Sequence, residues 1–210
     1  MNFSESMDEY RRRAGGGRDM RPEPLPRHVP EHLASDRLCF SPLDCCDSLL
    51  MHKHITDAVT RLWIGWDTPK LQLDTSNAVF EALRGRALGD YQGWIARFSL
   101  DNQDGTDMVG LVEVVRLEEP VDGAWFELNF WVIEKLWGKG LAFEMAQTVI
   151  TWLHRRTTLT RLNLSWTHGN SASAKVIARI VGDQEPIVRS AVKNGQTLPV
   201  YHYTLALNPK

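Results

Sequence analysis

The chain has 210 residues, of which 43% are hydrophobic and 24% charged, the proportions of an ordinary globular protein. Its formal net charge of -2 offers no overall electrostatic match to nucleic acid, so we expect no nucleic-acid partner. The sequence has no stretch of about 18 apolar residues, and residues 1–27 lack the apolar run of a secretory leader. We therefore expect a cytoplasmic protein without a membrane partner.

Two groups of residues are tested as metal or redox sites. Cys39, Cys45 and Cys46 are odd in number and contain no CxxC pair, which favours small, partly buried, reduced thiols. His52 and His54 lie two residues apart and would point to different sides of a helix. Neither pattern predicts a metal site.

The N-terminal 34 residues are predicted to form a flexible tail, and residues 35–210 a single domain. The tail contains three arginines at 11–13, three glycines at 15–17 and four prolines between Pro22 and Pro30, without a periodic apolar face. Acidic residues dilute the arginine cluster, which favours a solvated tail over a binding arm.

The first half of the domain shows the periodicities of strands and helices in turn. The predicted elements are a strand at 37–43, a helix capped by Asp44 and running to Ile55, a helix over 76–83, and strands at 94–98 and 109–115 joined by turn residues at 101–105.

The second half contains the clearest helix, in which apolar residues from Ala142 to Leu153 recur at i, i+3, i+4, i+7, i+8 and i+11. The other predicted elements are strands at 125–132, 161–166 and 200–207 and a helix over 172–180. This order predicts an α/β (α+β) fold with one mixed sheet and helices packed on it.

A short glycine loop separates the aromatic strand at 125–132 from the clearest helix. Gly138 and Gly140 let the backbone approach an anion, and the first N–H groups of the helix have no intrahelical partner. The loop is therefore predicted to cradle a pyrophosphate. Phe143 excludes the dinucleotide pattern GxGxxG, and Gly140 is not followed by the Lys-Ser or Lys-Thr of a Walker motif.

Two spaced motifs give the sequence a family resemblance. Lys135, Gly138 and Gly140 match a loop written Arg/Gln-x-x-Gly-x-Gly/Ala. Before this loop stand an acidic strand residue, Glu127, and an aromatic pair, Phe130-Trp131, and residues Trp137 to Ala146 match Trp-Gly-x-Gly-x-Ala-x-Glu-Ala. The second motif, Asn-x-x-Ser-x-x-Val/Ile, is matched by Asn170, Ser173 and Val176. Over residues 35–207 the chain resembles the GNAT superfamily of N-acetyltransferases, and within it the branch that acetylates ribosomal-protein N-termini.

The resemblance implies a single domain whose mostly antiparallel sheet has a splay between two central strands and helices on both faces. It also implies that acetyl-CoA is a co-substrate and that the acetyl group moves to a primary amine by direct attack in a ternary complex. From the residue patterns above, we expect no metal. A protein N-terminal α-amine is the expected acceptor. A small amine such as a polyamine or an antibiotic, and a CoA-binding regulator without turnover, stay open, as does a homodimer.

The resemblance also assigns residues to the cofactor. Backbone groups from Gly138 to Ala142 are expected to bind the pyrophosphate, and the aromatic strand and the second motif to lie along the pantetheine. The cofactor-binding set is Phe130, Trp131, Val132, Lys135, Gly138, Lys139, Gly140, Leu141, Ala142, Asn170 and Ser173.

Glu127 is the candidate general base, since a carboxylate on an otherwise apolar strand needs a reason to be there. Glu113 is the reserve. Many superfamily members protonate the leaving thiolate with a tyrosine, but residues 172–180 contain none, so Ser173 or a water is expected to take that role. Trp63 and Trp66 are candidate walls of the acceptor site.

Overall fold

The computed structural model describes residues 24–55, 71–99, 108–193 and 195–207, apart from the side chain of residue 193. Within these ranges eight strands form one sheet in the order β1-β2-β3-β4-β5-β6-β8-β7. Each neighbouring pair is antiparallel except β5 and β6, which are parallel. The strands are β1 Leu33–Ala34, β2 Leu38–Pro42, β3 Tyr91–Phe98, β4 Gly110–Val121, β5 Ala124–Val132, β6 Arg161–Thr167, β7 Ile187–Lys193 and β8 Gln196–Ala206.

Helices cover both faces of this sheet, which confirms the predicted architecture. They are α1 Asp47–Ile55, α2 Gln72–Leu88, α3 Leu141–Arg156 and α4 Ser171–Val181, and a 3-10 turn spans Glu134–Leu136. No helix among the described residues has both the length and the apolarity to span a bilayer. Residues 63, 66 and 101–105, which the sequence assigned to an acceptor wall and a turn, lie outside the described residues.

The larger core lies between the sheet and the pair α3 and α4. The predicted apolar face of α3 is the buried one: Met145, Ala146, Val149 and Leu153 are all fully enclosed. Burying aliphatic side chains of this size stabilises the fold by roughly 1.5–3 kcal/mol for each large one. A second core lies on the opposite face, where α1 and α2 pack on β3 and β4; its buried members are Leu43, Met51, Val79, Tyr91, Ile95, Met108 and Leu111.

Several details differ from the sequence predictions. Helix α2 is 17 residues long and not eight, because its ends are polar turns that carry no apolar stripe; Gly89, at a left-handed φ of 84°, ends it. Strand β7 was not predicted, since its alternation is weak and its side chains are exposed. Cys39, Cys45 and Cys46 form no disulfide, and all three are exposed, not partly buried.

The last third of the predicted tail packs on the domain. Leu25 is 1% exposed within the larger core, and its N–H donates to the Gly89 carbonyl at 2.9 Å. The Trp94 indole donates to the Glu31 carbonyl at 3.0 Å, and the Glu31 carboxylate pairs with Arg156 of α3 at 2.8 Å. Residues 24–34 therefore form a strap across one end of the sheet, and we define them by that name.

Candidate active site

The glycine loop between the 3-10 turn and α3 is open on one side. Gly138 and Gly140 both have φ of 76°, a left-handed conformation that glycine adopts without strain. A Cβ at Gly138 would meet no atom within 4 Å. Gly140 is the N-cap of α3, and no side chain of the described residues caps it. The N–H groups of the first turn are thus available to an anion, at the positive end of the helix dipole.

Arg37, at the entry to β2, ties this loop to the first turn of α3. Its guanidinium contacts Glu144 Oε2 through Nε at 2.7 Å and Nη2 at 2.6 Å, and its backbone N–H donates to Oε1 at 3.0 Å. Ser35 Oγ also donates to Oε1, at 2.6 Å. The remaining guanidinium nitrogen, Nη1, donates to the carbonyl of Lys139, the residue between the two glycines, at 3.0 Å.

This ion pair sets the charge beside the loop. Burial raises the pKa of Glu144, but the hydrogen bonds from Ser35 and Arg37 and the guanidinium charge outweigh it and hold the pKa below its ordinary value. The carboxylate is therefore charged but compensated, so it does not repel an anion bound at the loop.

Replacing Arg37 with alanine is expected to weaken CoA binding by about 10- to 100-fold, because it removes charge-assisted hydrogen bonds and leaves the Glu144 charge unpaired. Isothermal titration with CoA measures the effect. Arg37→Ala combined with Glu144→Gln should recover part of the loss. The matched control is Arg156→Ala, which breaks the exposed pair with Glu31 at the far end of α3. Native CoA affinity in Arg37→Ala would contradict the role of this pair.

A cavity of about 560 Å³ lies between the end of α1 and the segment that follows β5. The last turn of α1 contributes Lys53 and His54, and the segment after β5 contributes Ile133, Glu134 and Lys135. Lys135 is the first residue of the predicted phosphate motif, so the structure brings this position together with a second lysine from a distant part of the chain. Two lysines and the carboxylate of Glu134 therefore line one cavity.

Strands β5 and β6 separate towards their C-terminal ends, as predicted. They share the single register pair Glu127↔Asn163, whereas β5 stays paired with β4 as far as Val132. Between residues 128 and 132 the β6 side of β5 therefore has no strand partner among the described residues. A ligand with amide groups can pair with such an edge as another strand would. Phe130, Trp131 and Val132 lie on this stretch.

Two tryptophans mark the end of the open edge. Trp137 Nε1 donates to the Val132 carbonyl at 2.6 Å, which holds the glycine loop against β5. The indole N–H of Trp131 is buried and has no hydrogen-bond partner among the described residues. An unsatisfied buried donor costs about 1–3 kcal/mol, so an acceptor that reached this N–H would remove that cost.

Glu127 stands where the two strands begin to separate, on the face covered by α1 and α2. Desolvation by the surrounding protein raises the pKa of its carboxyl, against the opposing effect of hydrogen bonds from Ser165 and Asn163. The Asn163 Nδ2 amide donates to Glu127 Oε2 and also lies 3.2 Å from His202 Nδ1. Since Glu127 is only partly buried, an acceptor can reach a carboxylate whose raised pKa makes it a stronger proton acceptor than an exposed glutamate.

A second carboxylate, Glu113, lies on the same face but deeper. Burial raises its pKa to about 7, against hydrogen bonds from Tyr91 and Asn129, while the Glu127 charge adds to the rise. The Tyr91 hydroxyl donates to Glu113 Oε2 at 2.9 Å. Tyr91 reaches it across Gly93, where a Cβ would lie 2.2 Å from the hydroxyl oxygen.

Glu113 should make stability fall with rising pH. Its folded pKa of about 7 exceeds its ordinary value of 4.5, so the folded protein holds the extra proton and loses this advantage as pH rises through 7. The Glu113→Gln variant lacks this effect, so its stability relative to the wild type should improve by up to about 3 kcal/mol between pH 5 and pH 8. Urea unfolding at both values tests this, with exposed Glu118→Gln of the same strand as control. An equal difference at both pH values would contradict it.

Asn170 and Ser173 lie at the N-terminus of α4. Asn170 Oδ1 accepts from the Ser173 backbone N–H at 3.1 Å, so Asn170 caps this helix. Because β5 and β6 are parallel, their C-terminal ends lie at the same edge of the sheet. Asn170 and Ser173 follow β6. They therefore lie at the same end of the sheet as Val132 and the glycine loop, which follow β5.

Several residues of this region were missed by the sequence analysis. One of them, Asn163, could have been found from the sequence, because it is a polar residue between two apolar ones in Leu162-Asn163-Leu164. It is fully buried in the structure. No local pattern marks Arg37, since its partners are more than 100 residues away. The missed residues are Ser35, Arg37, Tyr91, Asn129, Asn163, Ser165 and His202.

Comparison with known proteins agrees with this geometry. Residues 37–180 match the family model described as an acetyltransferase (GNAT) domain, and no curated protein matches the chain. Among solved structures, RimL, the ribosomal L7/L12 α-N-protein acetyltransferase, in complex with coenzyme A has a TM-score of 0.68 at 18% identity, over 84% of this chain and 98% of that one.

Two further structures show the same fold. An acetyltransferase from Salmonella typhimurium that modifies the N-terminal serine of L7/L12 has a TM-score of 0.67 at 19% identity, over 85% of this chain and 100% of that one. The ribosomal-protein-S5-alanine acetyltransferase from Vibrio fischeri has a TM-score of 0.69 at 11% identity, over 85% and 98% of the two chains. At such identities the likeness establishes the fold.

Proposed function

The chain belongs to the acetyltransferase (GNAT) family, and on that premise we propose that it transfers the acetyl group of acetyl-CoA to a primary amine, the α-amine of a protein or peptide N-terminus. Direct attack within a ternary complex is the proposed route. The observation that carries the proposal is the partly buried carboxylate of Glu127 at the point where β5 and β6 separate.

The chain fits acetyl-CoA in three places. The open glycine loop suits the pyrophosphate, with backbone N–H groups from Gly138 to Ala142 as donors and Lys135 nearby. The free edge of β5 suits the amides of pantetheine, which would lie along Phe130, Trp131 and Val132. Asn170, at the same sheet edge, is proposed to contact the pantetheine. When bound, acetyl-CoA supplies an acetyl group already activated as a thioester.

Glu127 is the proposed general base. An amine enters the site mainly as an ammonium ion and cannot attack until it loses a proton. The Glu127 carboxylate accepts that proton, directly or through a water, and its raised pKa makes it a better acceptor than an exposed glutamate. Asn163 holds the carboxylate in place by hydrogen bonding to Oε2.

Ser173 is proposed to donate the proton that the departing thiolate needs. Its position in the first turn of α4 places the hydroxyl beside the positive end of a helix dipole, which stabilises a developing negative charge. A water held at the same helix end is the alternative donor. Ser173→Ala distinguishes them, since a water-dependent step keeps most of its turnover.

An N-terminal α-amine is favoured as acceptor because the motif around the glycine loop resembles enzymes for ribosomal-protein N-termini and because the structural neighbours include such enzymes. A thiol-release assay with acetyl-CoA tests this across N-terminal peptides, their N-acetylated counterparts and small amines. Turnover only on peptides with a free α-amine supports the proposal. Preference for a polyamine or an antibiotic would replace it, and CoA binding without turnover on any amine would favour a regulator.

Acetyl-CoA should raise the melting temperature of the protein. A ligand at 100 times its Kd adds about 2.7 kcal/mol to the free energy of unfolding. Differential scanning fluorimetry measures the shift, with NAD as a control nucleotide that should leave the melting temperature unchanged. Stabilisation by NAD and none by acetyl-CoA would contradict the assignment of the glycine loop.

A further inference from the structure

His202 completes a row of three polar side chains across neighbouring strands. It stands on β8 opposite Ser165 of β6, and its side chain is half-buried. Asn163, two residues before Ser165 on β6, lies opposite Glu127 of β5. Because alternate residues of a strand share a face, Asn163 and His202 are diagonal neighbours, close enough for long side chains to meet. Strands β5, β6 and β8 therefore contribute Glu127, Asn163 and His202 to one row.

The amide nitrogen of Asn163 serves both of its neighbours in this row. It donates to Glu127 Oε2, and it lies 3.2 Å from His202 Nδ1. A charged carboxylate only accepts hydrogen bonds, so the nitrogen of the amide, and not its oxygen, must face Glu127. The same nitrogen then donates its second hydrogen to His202 Nδ1, and the ring proton of His202 must lie on Nε2. The neutral imidazole protonated on Nε2 is the form that satisfies both contacts.

The surroundings of His202 favour that neutral form. Burial lowers the pKa of the ring, and the charge of Arg189 on the neighbouring strand β7 lowers it further. Asn163 is fully buried, and its carbonyl oxygen has no hydrogen-bond partner among the described residues. The two bonds at Nδ2 are therefore the contacts by which these residues orient the amide. An amide that kept only one of them could rotate and carry its N–H away from Glu127.

We propose that His202 is a positioning residue for the acetyl transfer and acts through Asn163. By accepting the second N–H of the Asn163 amide, it holds that amide in the one orientation that fixes Glu127 Oε2. This role rests on the proposed function, since Glu127 is the base of that reaction. His202 itself moves no proton. Ser165 also hydrogen-bonds Glu127, so the loss of His202 should weaken catalysis without abolishing it.

Steady-state kinetics with the acceptor found in the thiol-release assay tests this role. His202→Leu removes the acceptor atom and should lower kcat by about 3- to 10-fold, the rate equivalent of one hydrogen bond, with the Kd for CoA unchanged. His202→Asn places an oxygen near the position of Nδ1 and should recover most of the loss. Exposed His32→Leu is the control. Wild-type kcat in His202→Leu, or equal losses in the two His202 variants, would overturn the proposal.

A double variant separates positioning from a general effect on the fold. In a Glu127→Gln background the base is absent, so adding His202→Leu should cause no further loss of kcat. A residue that only stabilises the fold would lower kcat by the same factor in both backgrounds. That result would overturn the proposal.

Nitrogen-15 NMR of the wild-type protein tests the contact without any turnover. Near neutral pH the ring of His202 should be neutral with its proton on Nε2, and its signals are assigned by their loss in His202→Asn. A proton on Nδ1, or a charged ring, would overturn the proposal. An inactive wild type with the expected tautomer would remove the proposed function, and the role of His202 in transfer with it. An active wild type with the other tautomer would count against His202 alone.

Discussion

Glu127→Gln should lower kcat by about 10²- to 10⁴-fold, the usual contribution of general-base catalysis, while the Kd for CoA stays near the wild-type value. Glutamine has nearly the shape of glutamate, and its carbonyl oxygen can still accept from Asn163 and Ser165. What it cannot do is accept a proton from the incoming ammonium. Steady-state kinetics with the acceptor found in the panel assay, together with CoA titration, measures both quantities.

The pH profile separates a base from a residue that only shapes the groove. As pH rises, more of the amine arrives already deprotonated, so the deficit of Glu127→Gln should shrink. A residue that merely positions the acceptor would give a deficit independent of pH. Near-normal turnover of Glu127→Gln at pH 7 would remove Glu127 from the mechanism. Glu113→Gln is then the variant to compare, since Glu113 lies on the same face with a pKa of about 7.

Gly140→Asp should abolish measurable CoA binding and leave the fold intact. The new carboxylate would stand at the N-terminus of α3, where the pyrophosphate is proposed to bind. Two like charges about 4 Å apart cost roughly 4 kcal/mol near a protein surface, about a thousandfold in affinity. Folding should survive, because aspartate tolerates the left-handed φ of 76° at this position and the nearest atom to a Cβ there, Arg37 Nη2, is 3.8 Å away.

Gly140→Asn is the matched control, since asparagine has the size of aspartate and the same tolerance of a left-handed backbone, without the charge. Comparing the two variants by titration calorimetry divides the loss into a steric and an electrostatic part. Circular dichroism verifies that both are folded. If Gly140→Asp binds CoA as tightly as the wild type, the phosphate site lies elsewhere.

The sequence predicted those parts of the fold that have a local signature. Residues Ala142 to Leu153 repeat with the helical period along one face, and the structure buries that face. Gly138 and Gly140 interrupt the chain between a strand and a helix, and both adopt the backbone conformation that glycine permits. In both places the local sequence pattern favours the conformation that the tertiary structure also requires. The sequence was therefore sufficient to predict these elements.

Where the determinants are distant in sequence, the predictions were incomplete. Glu144 lies in the first turn of α3, but its carboxylate binds Arg37, 107 residues earlier in the chain. Leu25 sits among prolines and has no apolar neighbours in sequence, yet it fills a core position that the sheet creates. Strand β7 has the exposure of a loop and is held by its pairing with β8. Contacts of this kind leave no periodicity that a single sequence can reveal.

The strap has a practical consequence for work with fragments. The family model begins at residue 37, but a protein cut there would lose Leu25 from the core and the carbonyl of Glu31 that receives the Trp94 indole. It would also lose Ser35, one of the donors to Glu144. The smallest self-sufficient unit therefore starts before the recognised domain, and a truncation point or a fusion joint belongs upstream of Pro24.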